Sequence, residues 1–347
     1  MEEIKVKTNN MQVSIIIPVY NVELYIERCI DSVIAQTFQG DMECILVDDC
    51  CTDDSLFVAE RIITDYSGPI VFRILKHKKN RGLAAARNTA TEIATGEYLY
   101  YLDSDDTISK DCIDLMVKEV ESHPGVEMVI GAYANSRDGE SPQLCEHGLS
   151  PIFVDSNKKI RFEFFKEGDG FEGIAVNRLI KRSFVVENGI RFKEGIIHED
   201  THWSFYVYKR LKTLSVIEQC TYIRYIRHGS IMTTTTEEVT AENLLKIIGD
   251  WVNEFDGFGK SLQMYKALEL FLQAVFPHLS KSKTKSLHKR FLEELIRERQ
   301  LYTAFVLLVN ICFKWRYYQL SYVLVPKAYH EATLKLEKTV DEQICHI

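Results

Sequence analysis

Three carboxylates fall within four residues at Asp103-Ser104-Asp105-Asp106, directly after the aromatic run Glu97-Tyr98-Leu99-Tyr100-Tyr101-Leu102. Like charges that close repel unless a cation lies among them, and all-oxygen ligation selects a hard ion such as Mg²⁺ or Mn²⁺. Asp and Ser also close strands and cap helices, so a plain turn competes with the metal. A calcium loop is excluded, because its sixth position must be Gly and here it is Ile108. A second cluster, His198-Glu199-Asp200-Thr201-His202, satisfies the H-E-x-x-H spacing of zinc metalloproteases, with Glu199 as general base. No Gly-x-x-His follows it. Asp200 and Thr201 are also better helix caps than interior residues, which would leave His198 outside the helix and break the shared face.

Strands and helices must carry these groups. Val13 to Val19 is a continuous apolar run, as expected of a strand buried on both faces of a parallel sheet. Met42 to Val47 and Ile70 to Leu75 read as further strands, the organising stretch before Asp103 as a fourth, and Met128 to Ala132 as a fifth. Between them apolar residues recur at helical spacing: Val22 to Ile34, Val58 to Ile63, Leu83 to Ile93 and Ile113 to Val120. Such alternation predicts a doubly wound, Rossmann-like α/β domain with a mainly parallel sheet flanked by helices. Ligands in these sheets bind beyond the C-terminal strand ends. Tyr20, Asp48-Asp49 and the Asp103 cluster should therefore share one rim. No G-x-G-x-x-G loop follows any strand, which argues against a dinucleotide-dependent dehydrogenase.

The composition narrows the class further. A chain of 347 residues with 46% hydrophobic and 27% charged residues is globular. Nine cysteines without paired spacing point to a reducing, cytoplasmic compartment, and the polar stretch 1–10 is no secretory signal. From Gly257 onward there are 14 Lys/Arg against 8 Asp/Glu, a balance of +6 within a total of −8. The main body is thus strongly acidic, and nucleic acid is not an expected partner.

Four segments, taken together and in order, resemble the family 2 glycosyltransferases with a GT-A fold. They are Val-Ser-Ile-Ile-Ile-Pro-Val-Tyr-Asn at 13–21, Leu-Val-Asp-Asp-Cys-Cys-Thr-Asp-Asp-Ser at 46–55, Asn80-Arg81-Gly82-Leu83-Ala84-Ala85-Ala86-Arg87-Asn88, and Tyr-Leu-Asp-Ser-Asp-Asp at 101–106. One departure is Cys50-Cys51, where the family usually has Gly-Ser. The resemblance implies an inverting transfer from a nucleotide-diphosphate sugar, with uridine expected, to a hydroxyl of a glycan or lipid-linked acceptor. It places Tyr20 against the nucleobase and Asp48 or Asp49 on the base or ribose. It also puts Arg87 near the nucleotide, Asp103 near the ribose, and Asp105 on Mn²⁺ or Mg²⁺. The segment around Glu199-Asp200 resembles the family's Glu-Asp motif, which makes Asp200 the catalytic base. Arg227-His228-Gly229-Ser230 is expected to meet the departing diphosphate. The rivals are the His198/Glu199/His202 zinc protease and a non-enzymatic Asp-rich signalling domain.

The expected domain division is a catalytic domain at 1–235, with a nucleotide-sugar half at about 11–132 and an acceptor half at about 133–235. A helical region follows at 236–347. Residues Gly131 to Ser156 read as a long loop, Gly173 to Arg182 as a strand-like run and Cys220 to Tyr225 as a strand. Ala304 to Val325 is apolar but interrupted by Lys314 and Arg316, too short a leading run to span a bilayer. It reads either as a core hairpin or as a peripheral contact on the inner face of a membrane.

Overall fold

The computed structural model describes residues 12–137, 150–166, 171–226, 235–257 and 260–270, together with 289, 293 and 330–334. The chain divides into two compact units. One comprises 1–155 and 174–228, the other 156–173 and 229–347.

The first unit is built on a sheet of nine strands among the described residues, in the order β3-β2-β1-β4-β8-β6-β9-β5, with β7 pairing β9. Strands β1 (Gln12–Val19), β2 (Asp41–Asp48), β3 (Val71–Lys76) and β4 (Tyr98–Tyr101) are mutually parallel. Seven of eight residues in β1 and in β2 are buried, which is why their apolar runs lack alternation. The register sets Val19 beside Asp48 and Ile16 beside Tyr101, so the polar residues after β1, β2 and β4 emerge on one rim. The connecting helices are α1 (Ile26–Ile34), α2 (Ser55–Asp65) and α3 (Leu83–Ile93). α3 lies against β1 and β2 through Ala84, Ala85, Ala86 and Ala90, all buried, whose small side chains permit close approach.

Beyond β4 the sheet becomes mixed. β4 pairs antiparallel with β8 (Arg178–Lys181), and β8 pairs antiparallel with β6 (Met128–Arg137). β6 then runs parallel to β9 (Leu214–Ile226), with α4 (Cys112–Ser122) packed against both. Two short strands, β5 (Thr107–Ile108) and β7 (Ile152–Val154), pair with β9. The loop expected from Gly131 is therefore corrected. The chain stays in the sheet to Arg137, because a bulge between Ile130 and Tyr133 resets the register. Asn177, itself left-handed at φ 57°, satisfies that bulge by donating to the carbonyls of Gly131 (2.6 Å) and Ala132 (3.0 Å). A side chain at Gly131 would run into Thr221 Oγ1.

The remaining helices of this unit are α6 (Arg182–Glu187) and α7 (Glu199–Arg210). The second unit contains α5 (Asn157–Phe165) and helices Glu237–Glu254 and Lys260–Leu270. There the Arg161 guanidinium donates to the Asp256 carbonyl at 2.5 Å. No described helix is long and apolar enough to cross a membrane. Ala304 to Val325 lies outside the described residues, as do Arg227 and His228.

Candidate functional site

The acidic turn after β4 separates its three carboxylates into different jobs. Asp106 is buried and turned inward: Tyr222 Oη donates to its Oδ2 at 2.6 Å and the Tyr225 amide to its Oδ1 at 2.8 Å. Burial, with the charges of Asp105 and Asp103 added, pushes its carboxyl well above the usual range. Asp103 and Asp105 remain partly exposed. Arg28 donates to the Asp105 carbonyl at 2.8 Å while its guanidinium lies 3.6 Å from the Tyr225 ring centre. Arg28 and Tyr222 thus hold the turn from α1 and β9, and sequence spacing offers no signal for contacts between residues this far apart.

Arg87 on α3 links this turn to α7. Its Nη2 donates to Asp103 Oδ1 at 2.7 Å and its Nη1 to Glu199 Oε1 at 2.8 Å. The guanidinium is buried, packed over the Phe192 ring at 5.1 Å. Burial disfavours its charge, yet Asp103 and Glu199 outweigh that and hold it firmly protonated. Burial likewise lifts Glu199 to about 6, with Arg87 opposing the rise and Asp200 adding to it. Asp200 is raised from the ordinary range first by burial, with Arg87 again opposing. Its Oδ1 accepts from the Thr201 amide at 2.7 Å.

α7 is anchored from below. The Phe192 and Trp203 rings stack at 5.1 Å, and Tyr101 meets both edge-on at 5.2 and 5.8 Å. Such pairs contribute about 0.5–1.5 kcal/mol each beyond their burial. Asn88, next to Arg87, clamps the same segment by donating to the Phe192 carbonyl (2.8 Å) and accepting its amide (2.9 Å). Arg81 adds an ion pair to Glu194 at 3.2 Å. The Asn80–Asn88 motif therefore fastens the first half of the unit to the segment that carries Glu199 and Asp200.

The helix begins at Glu199, with His198 as its left-handed cap residue at φ 61°. This corrects the expectation that Asp200 or Thr201 caps it. It also removes the zinc-protease face: His198 is outside the helix with its Nε2 buried and without a hydrogen-bond partner among the described residues, and Glu199 is engaged by Arg87.

At the other strand ends, Tyr20 is 46% exposed beyond β1. Asp48 Oδ1 accepts from the Cys51 amide at 2.8 Å, shaping the turn, and burial beside Asp48 pushes the Cys51 thiol up to about 12. Asp49 is committed internally: its oxygens accept from the amides of Arg81 (2.8 Å) and Gly82 (2.6 Å), and His77 Nδ1 lies 2.6 Å away. At the end of β1, Val19 pairs with Asp48 in register and its carbonyl accepts from the Asp49 amide at 2.9 Å.

Among the described residues no three His, Cys, Asp or Glu side chains group into a metal cage. Asp103 and Asp105, two partly exposed oxygen donors on one turn, instead fit an ion such as Mg²⁺ or Mn²⁺ that takes its other ligands from phosphates and water.

Residues 14–187 match the model of Glycosyl transferase family 2. The chain belongs to that family. It is 30% identical over 283 residues to the poly(ribitol-phosphate) beta-glucosyltransferase of Bacillus spizizenii, covering 80% of this chain and 41% of that protein. The chain spans 32% to 41% of the length of the first curated relatives it matches. Its fold resembles S. aureus TarS 1-349 in complex with UDP-GlcNAc, with TM-score 0.62, 19% identity, and 94% and 92% of the two chains covered. It also resembles the mannosyltransferase PcManGT from Pyrobaculum calidifontis in complex with GDP-Man and Mn²⁺, with TM-score 0.55, 17% identity, and 94% and 87% covered. The expected GT-A fold is thus the one observed.

Proposed function

We propose that this protein transfers a sugar, with inversion, from a uridine-diphosphate donor to a hydroxyl of a cell-envelope glycan or polyol-phosphate polymer. The observation that carries this is the Arg87 bridge, which sets the Asp103–Asp105 turn beside Glu199 and Asp200 at the head of α7. The names of the similar proteins support the donor and acceptor classes.

In the reaction the acceptor O–H gives its proton to the Asp200 carboxylate as its oxygen attacks the anomeric carbon. The bond from that carbon to the phosphate oxygen breaks on the opposite face, and the nucleoside diphosphate leaves with the electron pair. Burial makes Asp200 a stronger base than an exposed aspartate, with Arg87 opposing the rise. Glu199 and Arg87 hold the helix end in place. Tyr20 and Asp48 are assigned to the base and ribose, and Asp103 and Asp105 to a divalent cation. Such a cation would offset charge on the departing diphosphate. Arg227 and His228 are assigned to the same leaving group, and 1–235 to the catalytic domain.

The test is to titrate uridine, guanosine, cytidine and thymidine diphosphates with and without Mn²⁺, then assay transfer by Asp200→Asn. The variant should bind the donor within a few-fold of wild type and lose transfer by roughly 10²-fold or more. Binding of no nucleotide diphosphate, or near-normal transfer by the variant, would overturn the assignment.

A further inference from the structure

The acidic turn is held by its backbone as well as by its side chains, and one stripe of α1 supplies much of the hold. Cys29 Sγ donates to the Asp103 carbonyl at 3.6 Å and Arg28 Nη2 to the Asp105 carbonyl at 2.8 Å. One turn further along, Ser32 Oγ accepts from the Ile108 amide at 3.2 Å. Gln36, just past the end of the helix, donates to the Ser109 carbonyl at 2.7 Å and accepts from the Ile113 amide at 3.0 Å. Residues 28, 29, 32 and 36 recur at helical spacing, so a single face of α1 anchors the backbone that follows β4.

Of these four side chains only Arg28 carries a charge. Its guanidinium lies 3.6 Å from the Tyr225 ring centre and 4.9 Å from that of Tyr25, and stacking on the rings restricts how the planar fork can turn. Tyr225 is itself tied to the turn, since its amide donates to Asp106 Oδ1 at 2.8 Å. The contacts close a circuit from α1 to Asp105, from Asp106 to β9, and from the Tyr225 ring back to α1. Carboxylates crowded into four residues repel one another, and a metal ligand is only as well placed as the chain that carries it. A guanidinium at the Asp105 carbonyl supplies both an anchor and an opposing charge.

We propose that Arg28 is a positioning residue for the divalent cation: held by Tyr225, it fixes the Asp105 backbone so that the Asp103 and Asp105 carboxylates are set for a metal–diphosphate pair before it arrives. The inference rests on the cation reading given above and adds to it the group that tunes the cation's affinity.

The full chain is titrated with Mn²⁺ at a fixed concentration of uridine diphosphate, free Mn²⁺ being read by electron paramagnetic resonance, and with uridine diphosphate alone by calorimetry. Arg28→Met keeps the aliphatic stem and should weaken Mn²⁺ binding by roughly 10- to 100-fold, the usual cost of losing a group that orients a metal ligand. Its affinity for uridine diphosphate without metal should stay within two-fold of wild type. Arg28→Lys should recover part of the loss. Tyr225→Phe keeps the ring and should match wild type, whereas Tyr225→Leu should lose Mn²⁺ affinity in the same direction as Arg28→Met. In the metal-free protein, hydrogen exchange at the Asp106 and Ile108 amides should quicken in Arg28→Met. Unchanged Mn²⁺ affinity or unchanged exchange in that variant would overturn the role. An equal loss of uridine diphosphate binding with and without Mn²⁺ would overturn it too, because Arg28 would then touch the nucleotide itself. A wild type that binds uridine diphosphate equally with and without Mn²⁺ would refute the cation reading and the role of Arg28 with it, so the two failures are read apart.

Discussion

Replacing Arg87 by Met removes the cation that pairs with both Asp103 and Glu199, and the consequence should depend on pH. In the wild type, Glu199 titrates near 6 when folded against a reference of 4.5. Its folded pKa is raised, so the folded state holds the proton more tightly and stability falls as pH rises from 4.5 to about 6. Above that the loss is complete, at about 2 kcal/mol. Without Arg87, burial and the neighbouring Asp200 act unopposed, and the folded pKa moves higher still. The variant should then go on losing stability above pH 6, by about 1.4 kcal/mol per pH unit while Glu199 stays protonated. Between pH 6 and 8 its deficit against wild type should widen by up to about 2.7 kcal/mol, approaching the 3–5 kcal/mol typical of a broken buried pair. Urea denaturation of both proteins at pH 5, 6, 7 and 8 measures this. Adding Glu199→Gln should flatten the pH dependence. A deficit that is the same at pH 6 and pH 8 would refute the buried-pair argument.

Further perturbations separate the roles of neighbouring residues. Asp105→Ala should abolish Mn²⁺-dependent uridine diphosphate binding, read by calorimetry, with the melting temperature within a few degrees of wild type; equal binding with and without metal would remove Asp105 from the site. Tyr222→Phe leaves Asp106 Oδ2 without its hydroxyl donor and should cost about 1–3 kcal/mol in urea denaturation. Asn88→Ala removes both hydrogen bonds to Phe192 and should cost a similar amount; hydrogen exchange should quicken in 192–203 before it does in β1. Gly96→Ala would set a Cβ 2.6 Å from the Ser14 amide nitrogen, backbone that cannot yield cheaply, so the variant should melt well below wild type.

What the sequence alone determined is local or periodic. The largely apolar runs of β1, β2 and β4 state that both sheet faces are covered, and the polar residues inside them, Ser14 and Glu43, are buried and hydrogen-bonded to one another. The breaks after Val19, Val47 and Leu102 mark where the chain leaves the sheet, and parallel pairing carries all three to one rim. Asp103 and Asp105 were legible for the same reason, each beside a strand end that its own segment encodes, whereas Glu199 and Asp200 stood out through the resemblance of their segment to the family's Glu-Asp motif.

Only the tertiary structure decided which of these groups meet. The Arg87–Glu199 contact joins residues 112 positions apart, and the Tyr222–Asp106 contact 116. Nothing in either segment announces its partner, because a hydrogen bond between distant elements depends on packing that no local spacing records. Packing likewise turned Asp106 inward and Asp103 outward, although the two are chemically alike and three residues apart. The cap of α7 fell to His198 over better cappers because burial of Glu199 against Arg87 and stacking of Trp203 on Phe192 set where the helix starts. Cap propensity favours a different start by about 1 kcal/mol. The Phe192–Trp203 stack and the two edge-on contacts of Tyr101, at about 0.5–1.5 kcal/mol each, offset that, and so tertiary contacts set the boundary.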